Sequence, residues 1–229
     1  MCLMSTTRRE PRDAAVLLCY ITGRSQFPGT RNDQECRLLE KIAECASAGV
    51  DYVQLREKDL SPRELEELAR KAVAAVPPGS RTSLLINSRI DVALAVGAHG
   101  VHLPARDLSA SDARVIWDRA GKTGAVIGVS AHTSDEVSQA EAHGADFAVF
   151  APVFEKSGVT NPAGMGQLWR ACHRPHAAGA PMPVLALGGV TLENAQRCLD
   201  AGAAGIAGIR LFQQNDVKAT VQGLRALRA

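Results

Sequence analysis

The stretch that decides the fold is a short glycine-containing segment that occurs four times, as AGVDYV at residues 48–53, VGAHGV at 96–101, HGADFA at 143–148 and AGAAGI at 201–206. The leading glycines stand 48, 47 and 58 residues apart. In each copy the glycine can end a helix in the left-handed conformation, after which the chain enters an apolar strand. Each interval has room for two strand–helix units, so four copies predict eight units.

Short apolar runs alternate with longer stretches of helical period along the whole chain, which is typical of parallel α/β structure. Helices are predicted at 33–48 and 61–76, for example, and the eight predicted strands cover residues 16–22, 52–57, 83–88, 100–103, 125–130, 147–153, 183–188 and 205–209. The pattern favours an α/β protein with a single (β/α)8 TIM barrel. A doubly wound sheet is the alternative, because alternation alone does not prove closure. We expect a flexible tail over residues 1–13 and the barrel domain over 14–229.

Composition excludes several classes of function. The 229 residues carry a formal net charge of +2 and only 4% aromatic residues, so no basic stripe or stacking platform for nucleic acid is expected. No apolar run is long enough to span a membrane, and the six cysteines are scattered without a C-x-x-C pair. These features predict a cytoplasmic protein without nucleic-acid or membrane partners and without an organic cofactor, and they leave a homo-oligomer open.

Candidate site residues, most of them polar, lie at or just after the ends of seven predicted strands, at the end of the barrel where enzymes of this fold have their active sites. In strand order they are Gln54, Arg56 and Lys58; Asn87 and Ser88; His102 and Asp107; Ser130 and His132; Glu155 and Lys156; Gly188 and Gly189; and Ile209 and Arg210. A barrel with a purely structural role needs no such ring. We therefore expect an active site there.

The clearest chemical signal in this ring is the pair of cations after strand two. Gln54, Arg56 and Lys58 alternate along the chain, so they should face the barrel mouth together. Two neighbouring cations suit a phosphate or pyrophosphate group. The alternative is an ion-pair network with Glu57 and Asp59.

Three further positions in the ring allow two interpretations each. The Gly188-Gly189 pair suits a phosphate held by backbone N–H groups, or simply a tight turn. Ser130 and His132 share a face, and His132 either exchanges protons near neutral pH or is a loop histidine without a catalytic task. Asp107 is either a magnesium ligand or the residue that precedes a helix cap at Ser109.

Six motifs in order resemble the thiamin phosphate synthase/TenI superfamily over nearly the whole chain, from Tyr20 to Leu211. They read VQLREKD at 53–59, INSRIDVA at 86–93, GVHL at 100–103, IGVSAHT at 127–133, APVF at 151–154 and ALGGV at 186–190. The resemblance implies a site for a thiazole phosphate, whose phosphate lies at the Gly188-Gly189 turn and the end of strand eight.

In a synthase of this superfamily, an aminopyrimidine pyrophosphate also binds. The resemblance then places Arg56, Lys58 and Asn87 on the pyrophosphate, Gln54 and Ser130 near the pyrimidine, and magnesium between pyrophosphate and carboxylates. Pyrophosphate leaves, and the thiazole nitrogen captures the pyrimidine methylene cation, so the enzyme's task is electrostatic stabilisation and positioning.

The chain departs from the synthase pattern in three places. Ser88 replaces the second of two magnesium carboxylates, so weaker metal binding is expected. The strand-six loop reads FEKSG at 154–158 where synthases carry a threonine-rich stretch ending in lysine, and Arg210 stands where the family has a small residue.

Two dipeptides, Leu103-Pro104 and Phe154-Glu155, look more like the TenI branch, in which a histidine that matches His132 serves thiazole tautomerisation. We favour a TenI-like tautomerase on this basis. The alternatives are a synthase, a non-catalytic regulatory barrel that binds a phosphate ligand, and another phosphate-binding barrel such as a sugar-phosphate isomerase.

Overall fold

A computed structural model describes residues 15–154, 164–176 and 180–227. Its strands are β1 (Leu17–Ile21), β2 (Tyr52–Leu55), β3 (Ser83–Asn87), β4 (Gly100–Leu103), β5 (Val126–Ala131), β6 (Phe147–Phe150), β7 (Val184–Ala186) and β8 (Gly205–Gly208). All pairs are parallel and the strands follow one another in chain order, with β8 hydrogen-bonded to β1. The sheet is therefore a closed (β/α)8 barrel, as predicted, and not a doubly wound sheet.

The helices surround this barrel. They are α1 (Arg31–Ala48), α2 (Pro62–Ala75), α3 (Ile90–Val96), α4 (Ala110–Arg119), α5 (Ser134–Ala142), α6 (Gly164–Cys172), α7 (Ala195–Asp200), α8 (Arg210–Gln213) and α9 (Val217–Ala226), with a 3-10 turn at Arg24–Gln26. Among the described residues, none of these helices is long and apolar enough to cross a membrane.

Local sequence explains where the helices begin and end. Thr30 and Ser61 start α1 and α2 through reciprocal capping boxes, and Pro62 occupies the first turn of α2. The capping box at Thr30 places the start of α1 two residues before the predicted one. All four glycines of the repeated segment have the predicted positive φ, at +87°, +70°, +75° and +92° in chain order.

Successive side chains of each strand point to opposite faces of the sheet and so enter two separate apolar regions. One lies between the sheet and the helices, and the smaller one fills the barrel with residues that include Cys19, Leu85, Phe147 and Leu185. Tyr52 stacks on Phe147 with 4.4 Å between the ring centroids, near the amino ends of their strands. These stacked rings therefore fill the amino end of the barrel.

The amino end of the barrel is fastened by the last helix. Arg225 of α9 donates to the backbone carbonyl oxygens of Val16 and Gly49 and to the carboxylate of Asp51. Asp51 in turn accepts from the Leu18 backbone N–H at 2.8 Å. This cluster closes the side of the barrel opposite the predicted site.

Candidate active site

The two cations follow the end of β2, and an acidic residue stands between them in the sequence. Arg56 is half-buried and Lys58 is exposed, whereas Glu57 is buried. Because β2 ends at Leu55, strand geometry fixes the direction of Gln54 only. The charge of Arg56 is one cause of the lowered pKa of the buried His102.

Glu57 and Asp59 have a cationic partner that sequence analysis missed. The backbone N–H of Arg24 donates to both oxygens of the Glu57 carboxylate at 3.1 Å, and its guanidinium pairs with Asp59. The Arg24 side chain is only 3% exposed, and its Nε lies 3.8 Å from Glu57 Oε2. A single arginine after strand one gave no periodic or motif signal, and only its nearness in space to the end of β2 reveals the contact.

Thr22 completes this cluster and connects it to the cation-bearing segment. Its hydroxyl donates to Glu57 Oε1 at 2.7 Å and accepts from the Arg56 backbone N–H at 2.9 Å. Burial raises the pKa of Glu57, while the hydrogen bonds from Thr22 and Arg24 oppose that rise. We call Thr22, Arg24, Glu57 and Asp59 the Arg24 cluster.

The Arg24 cluster contradicts the alternative in which Glu57 and Asp59 neutralise Arg56 and Lys58. Within residues 15–154, 164–176 and 180–227, neither Arg56 nor Lys58 forms an ion pair. Two cations close together in sequence and without acidic partners attract an anion.

Gln54 and Asn87 form a polar pair at the ends of β2 and β3. Gln54 Nε2 donates to Asn87 Oδ1 at 2.8 Å. Gln54 is 2% exposed, and its Oε1 has no partner among the described residues. The pair therefore presents an acceptor at Gln54 and a donor at Asn87 Nδ2.

His102 and Ser130 form a second pair, on β4 and β5. His102 Nε2 lies 3.0 Å from Ser130 Oγ, and the ring is 1% exposed. Burial, together with the charge of Arg56, lowers the pKa of His102 to about 3. The ring is consequently neutral across the physiological range.

Ser88 and Asp107 contact each other at the rim. The Ser88 hydroxyl donates to Asp107 Oδ2, while Asp107 Oδ1 accepts from the Leu108 backbone N–H at 2.8 Å. Ser88 has a φ of +63°, a conformation that few residues other than glycine adopt. Ser109 also caps α4 as predicted, so Asp107 both precedes a cap and faces the site.

His132 is exposed and directly follows β5. A backbone carbonyl in the loop after β6 orients its ring. Its Nδ1 lies 2.7 Å from the carbonyl oxygen of Ala151, which can only accept, so Nδ1 carries the proton. Nε2 is then the basic nitrogen of the neutral ring. His132 also has its backbone N–H bound to Glu136 at 2.6 Å.

The Gly188-Gly189 turn requires glycine for a steric reason. Gly188 has a φ of +99°, and a Cβ there would lie 2.8 Å from Pro152 Cα. Gly189 has a φ of +66°, and its carbonyl accepts from Asn194 Nδ2 at 3.0 Å. Within the part of the chain that the structure describes, the backbone N–H groups of Gly188 and Gly189 have no acceptor.

The other predicted site residues lie nearby in the fold or outside the described part. Ile209 packs against the barrel filling, and exposed Arg210 begins the short helix α8 directly after β8. Glu155 and Lys156 lie outside the described residues, as does the predicted tail. Side-chain hydrogen bonds thus connect three pairs of predicted site residues: Gln54 with Asn87, Ser88 with Asp107, and Ser130 with His102.

Comparison with known proteins agrees with the motifs. The family model TMP-TENI, described as thiamine monophosphate synthase, matches residues 19–212. The thiamine-phosphate synthase of Halalkalibacterium halodurans is 38% identical over 191 residues, which cover 81% of this chain and 86% of the relative. The thiamine-phosphate synthase of Moorella thermoacetica is 35% identical over 191 residues, covering 82% and 86%.

A solved structure, thiamine phosphate pyrophosphorylase from Pyrococcus furiosus, has a TM-score of 0.74 at 27% sequence identity and covers 93% of this chain and 95% of its own. The relatives bear the synthase name, so our preference for a TenI-like tautomerase is not confirmed, and the synthase alternative agrees better with them. The chain belongs to the thiamin phosphate synthase/TenI superfamily and is an enzyme of that family.

Proposed function

We propose that this enzyme is a thiamin phosphate synthase, which joins an aminopyrimidine pyrophosphate to a thiazole phosphate and releases pyrophosphate. The observation that carries the proposal is the pairing of Glu57 and Asp59 with Arg24, which leaves Arg56 and Lys58 to an anion. A tautomerase has no pyrophosphate to neutralise, so it has no use for this cation pair.

In the proposed reaction one bond to the pyrimidine methylene carbon breaks and another forms. The bond between the pyrimidine methylene carbon and the pyrophosphate oxygen breaks, and pyrophosphate leaves with both electrons. The thiazole nitrogen then forms the new carbon–nitrogen bond with its lone pair and becomes positively charged. Because that nitrogen loses no proton, the step needs electrostatic stabilisation and positioning more than a base.

Arg56 and Lys58 are proposed to stabilise the departing pyrophosphate, with Asn87 as a neutral donor beside them. The Asn87 carbonyl is engaged by Gln54, so its Nδ2 group is the one available to pyrophosphate. Gln54 Oε1 is proposed to accept from the pyrimidine amino group, with Ser130 nearby. The polarity of each amide suits these roles.

The thiazole phosphate is proposed to bind at the carboxyl ends of β7 and β8. The N–H groups of Gly188 and Gly189 can approach an anion closely, and barrels commonly bind phosphate between strands seven and eight beside a short helix. Ile209 and Arg210 stand at that helix, and Lys156 would approach from the strand-six loop. Arg210 would add a guanidinium to the backbone donors.

The donor set fits a magnesium ion that arrives with the substrate. Mg²⁺ is often held by one or two carboxylates together with substrate phosphates, and Asp107 supplies one carboxylate. No group of three or more acidic, histidine or cysteine side chains that could hold a metal was found in the described ranges. Bound at Asp107, the ion would neutralise part of the pyrophosphate charge.

The test is a coupling assay with thiazole phosphate, aminopyrimidine pyrophosphate and magnesium, read by oxidation of thiamin phosphate to a fluorescent product. Lys58→Met should lower kcat/KM by about 100-fold or more, as removal of a transition-state charge contact does. The matched control is Lys218→Met, an exposed lysine of helix α9, which should leave activity unchanged. Absence of product from the unaltered enzyme with any divalent metal would refute the synthase.

Tautomerisation remains a second candidate because of one observation, the fixed Nδ1–H of His132 that leaves Nε2 as an exposed base. His132→Asn keeps a donor for Ala151 and removes that base. In a synthase it should change kcat less than about tenfold, whereas a tautomerase should lose the 10²–10⁴-fold typical of a general base. A cytoplasmic location and the lack of nucleic-acid and membrane partners stay predictions, and a homo-oligomer stays open.

A further inference from the structure

His102 lies inside the barrel, directly beneath the proposed substrate site, and one of its two ring nitrogens has no partner. Its Nε2 is 3.0 Å from Ser130 Oγ, whereas Nδ1 is buried and unpaired within the described residues. Gly128 on β5 makes room for the ring, because a Cβ there would lie 2.7 Å from His102 Nδ1. The ring therefore has a tightly defined place and one polar contact.

A neutral imidazole carries one N–H group, so the two possible tautomers differ in what they leave unpaired. With the proton on Nδ1, a donor faces the apolar filling without an acceptor. With the proton on Nε2, that N–H is bonded to Ser130 and only a lone pair stays unpaired. Buried donors without acceptors are rarer in proteins than acceptors that lack a donor.

We infer that His102 is held as the Nε2–H tautomer, donates to Ser130 Oγ, and thereby leaves the Ser130 hydroxyl proton to donate toward the barrel mouth. His102 is then a positioning residue, which acts on the substrate only through Ser130. A hydroxyl that accepts from one side has a defined direction in which to donate.

This orientation says what kind of substrate atom faces Ser130. Because the hydroxyl proton is the group left to donate, the inferred substrate atom is a hydrogen-bond acceptor, either a pyrophosphate oxygen or a ring nitrogen of the pyrimidine. The identity of that atom rests on the proposed synthase function, whereas the tautomer of His102 does not. The two can therefore be tested separately.

The tautomer can be read from nitrogen chemical shifts of protein labelled with ¹⁵N-histidine, at about pH 8, which is above the ordinary pKa of histidine. The chain contains an internal reference for each outcome. His99 Nδ1 accepts from the Leu84 backbone N–H at 3.1 Å, so its proton is on Nε2, and His132 has its proton on Nδ1.

We expect His102 to show the pattern of His99, with its signals assigned by their loss in His102→Gln. Ser130→Ala should shift the His102 Nε2 signal and leave Nδ1 nearly in place. If His102 instead shows the pattern of His132, the inference is wrong, whatever reaction the enzyme catalyses.

The positioning role is tested with two variants of similar size. Glutamine can place its amide N–H₂ close to the former Nε2, whereas leucine offers no donor. His102→Leu should raise KM for the pyrimidine substrate roughly tenfold, and His102→Gln less than about threefold, since one hydrogen bond distinguishes them. Equal KM values for the two variants, with both folded by thermal unfolding, would overturn the role.

The acceptor atom is identified by calorimetry with two fragments, inorganic pyrophosphate and the aminopyrimidine alcohol that lacks pyrophosphate. Ser130→Ala should weaken binding of the fragment that carries the acceptor by roughly tenfold. The control is Ser83→Ala, a buried serine at the amino end of β3. If Ser130→Ala weakens neither fragment while both bind the unaltered protein, Ser130 does not donate to substrate.

Discussion

Replacing Thr22 with valine removes one hydroxyl from the wall between β1 and β2 and leaves the shape of the side chain nearly unchanged. That hydroxyl holds two groups together, because it donates to Glu57 and accepts from the backbone N–H of Arg56. Thr22 is fully buried, so water cannot replace it at the same place. Thr22→Val should therefore act on both stability and the position of the cation pair.

The magnitude follows from the two lost bonds. A hydrogen bond to a carboxylate contributes about 1.5–3 kcal/mol, and an N–H left without an acceptor costs about 1–3 kcal/mol. Valine leaves no cavity, so no packing loss is added. We expect a loss of about 3–5 kcal/mol in the free energy of unfolding, which lowers Tm by about 10 °C in a chain of this size.

The assay is urea unfolding, followed by tryptophan fluorescence, which should change as the buried Trp117 becomes exposed. The matched control is Thr220→Val on α9. Thr220 is also buried, but among the residues that the structure describes its hydroxyl bonds only to the Asp216 carbonyl, which accepts from the Thr220 N–H as well. The control should lose at most about 1 kcal/mol. Equal losses in the two variants would refute the role assigned to Thr22.

The effect of Thr22→Val should also depend on pH, in a direction set by Glu57. The bond from Thr22 lowers the pKa of Glu57 in the folded protein, against the larger upward effect of burial. Its stabilisation is present when Glu57 is ionised and is lost as pH falls through the folded pKa of Glu57. The difference between the variant and the unaltered protein should therefore be largest near neutral pH and shrink toward acid.

Two further predictions concern the glycine turn and the rim. Gly188→Ala should lower the free energy of unfolding by about 3–4 kcal/mol and weaken thiazole-phosphate binding, because the new Cβ would collide with the Pro152 backbone. The control is Gly144→Ala, at a glycine that also has a positive φ, of +75°, but has open space around it. This control should lower the free energy of unfolding by about 1–2 kcal/mol. Ser88→Asp places a second carboxylate beside Asp107, and aspartate tolerates this backbone conformation. Its Tm should fall by about 2–4 °C in a chelator and recover with magnesium, and an unchanged Tm in both conditions would contradict a shared metal site.

The barrel could be predicted because the same local pattern, a helix-ending glycine followed by an apolar strand, occurs four times in the sequence. Glycines such as Gly49 and Gly97 end helices in the left-handed conformation, and each apolar run after them is a strand. The ends of strands were less predictable. The run after Gly144 looks extended through residue 153, yet β6 ends at Phe150 because Pro152 has no N–H for the sheet.

The site was predictable where residues follow strands and unpredictable where their partners come from elsewhere. Positions such as Gln54 and Ser130 lie at strand ends and could be placed from sequence. Arg24 could not, because its contact with Glu57 depends on how β1 and β2 pair across 33 residues. Because Arg24 pairs with the acids, Arg56 and Lys58 are left without acidic partners. This feature of the site depends on a tertiary contact, which the sequence pattern does not contain.

The hydrogen bonds between α9 and the residue before β1 have a consequence for the order in which the chain folds. Pairing of β1 with β8, and of Arg225 with Val16, joins segments from opposite ends of the described sequence. Closing so long a loop costs more chain entropy than any pairing of consecutive strands, so this seam should form last. In native-state hydrogen exchange, amides of β1 and β8 should then open at lower free energy than those of β3 to β5.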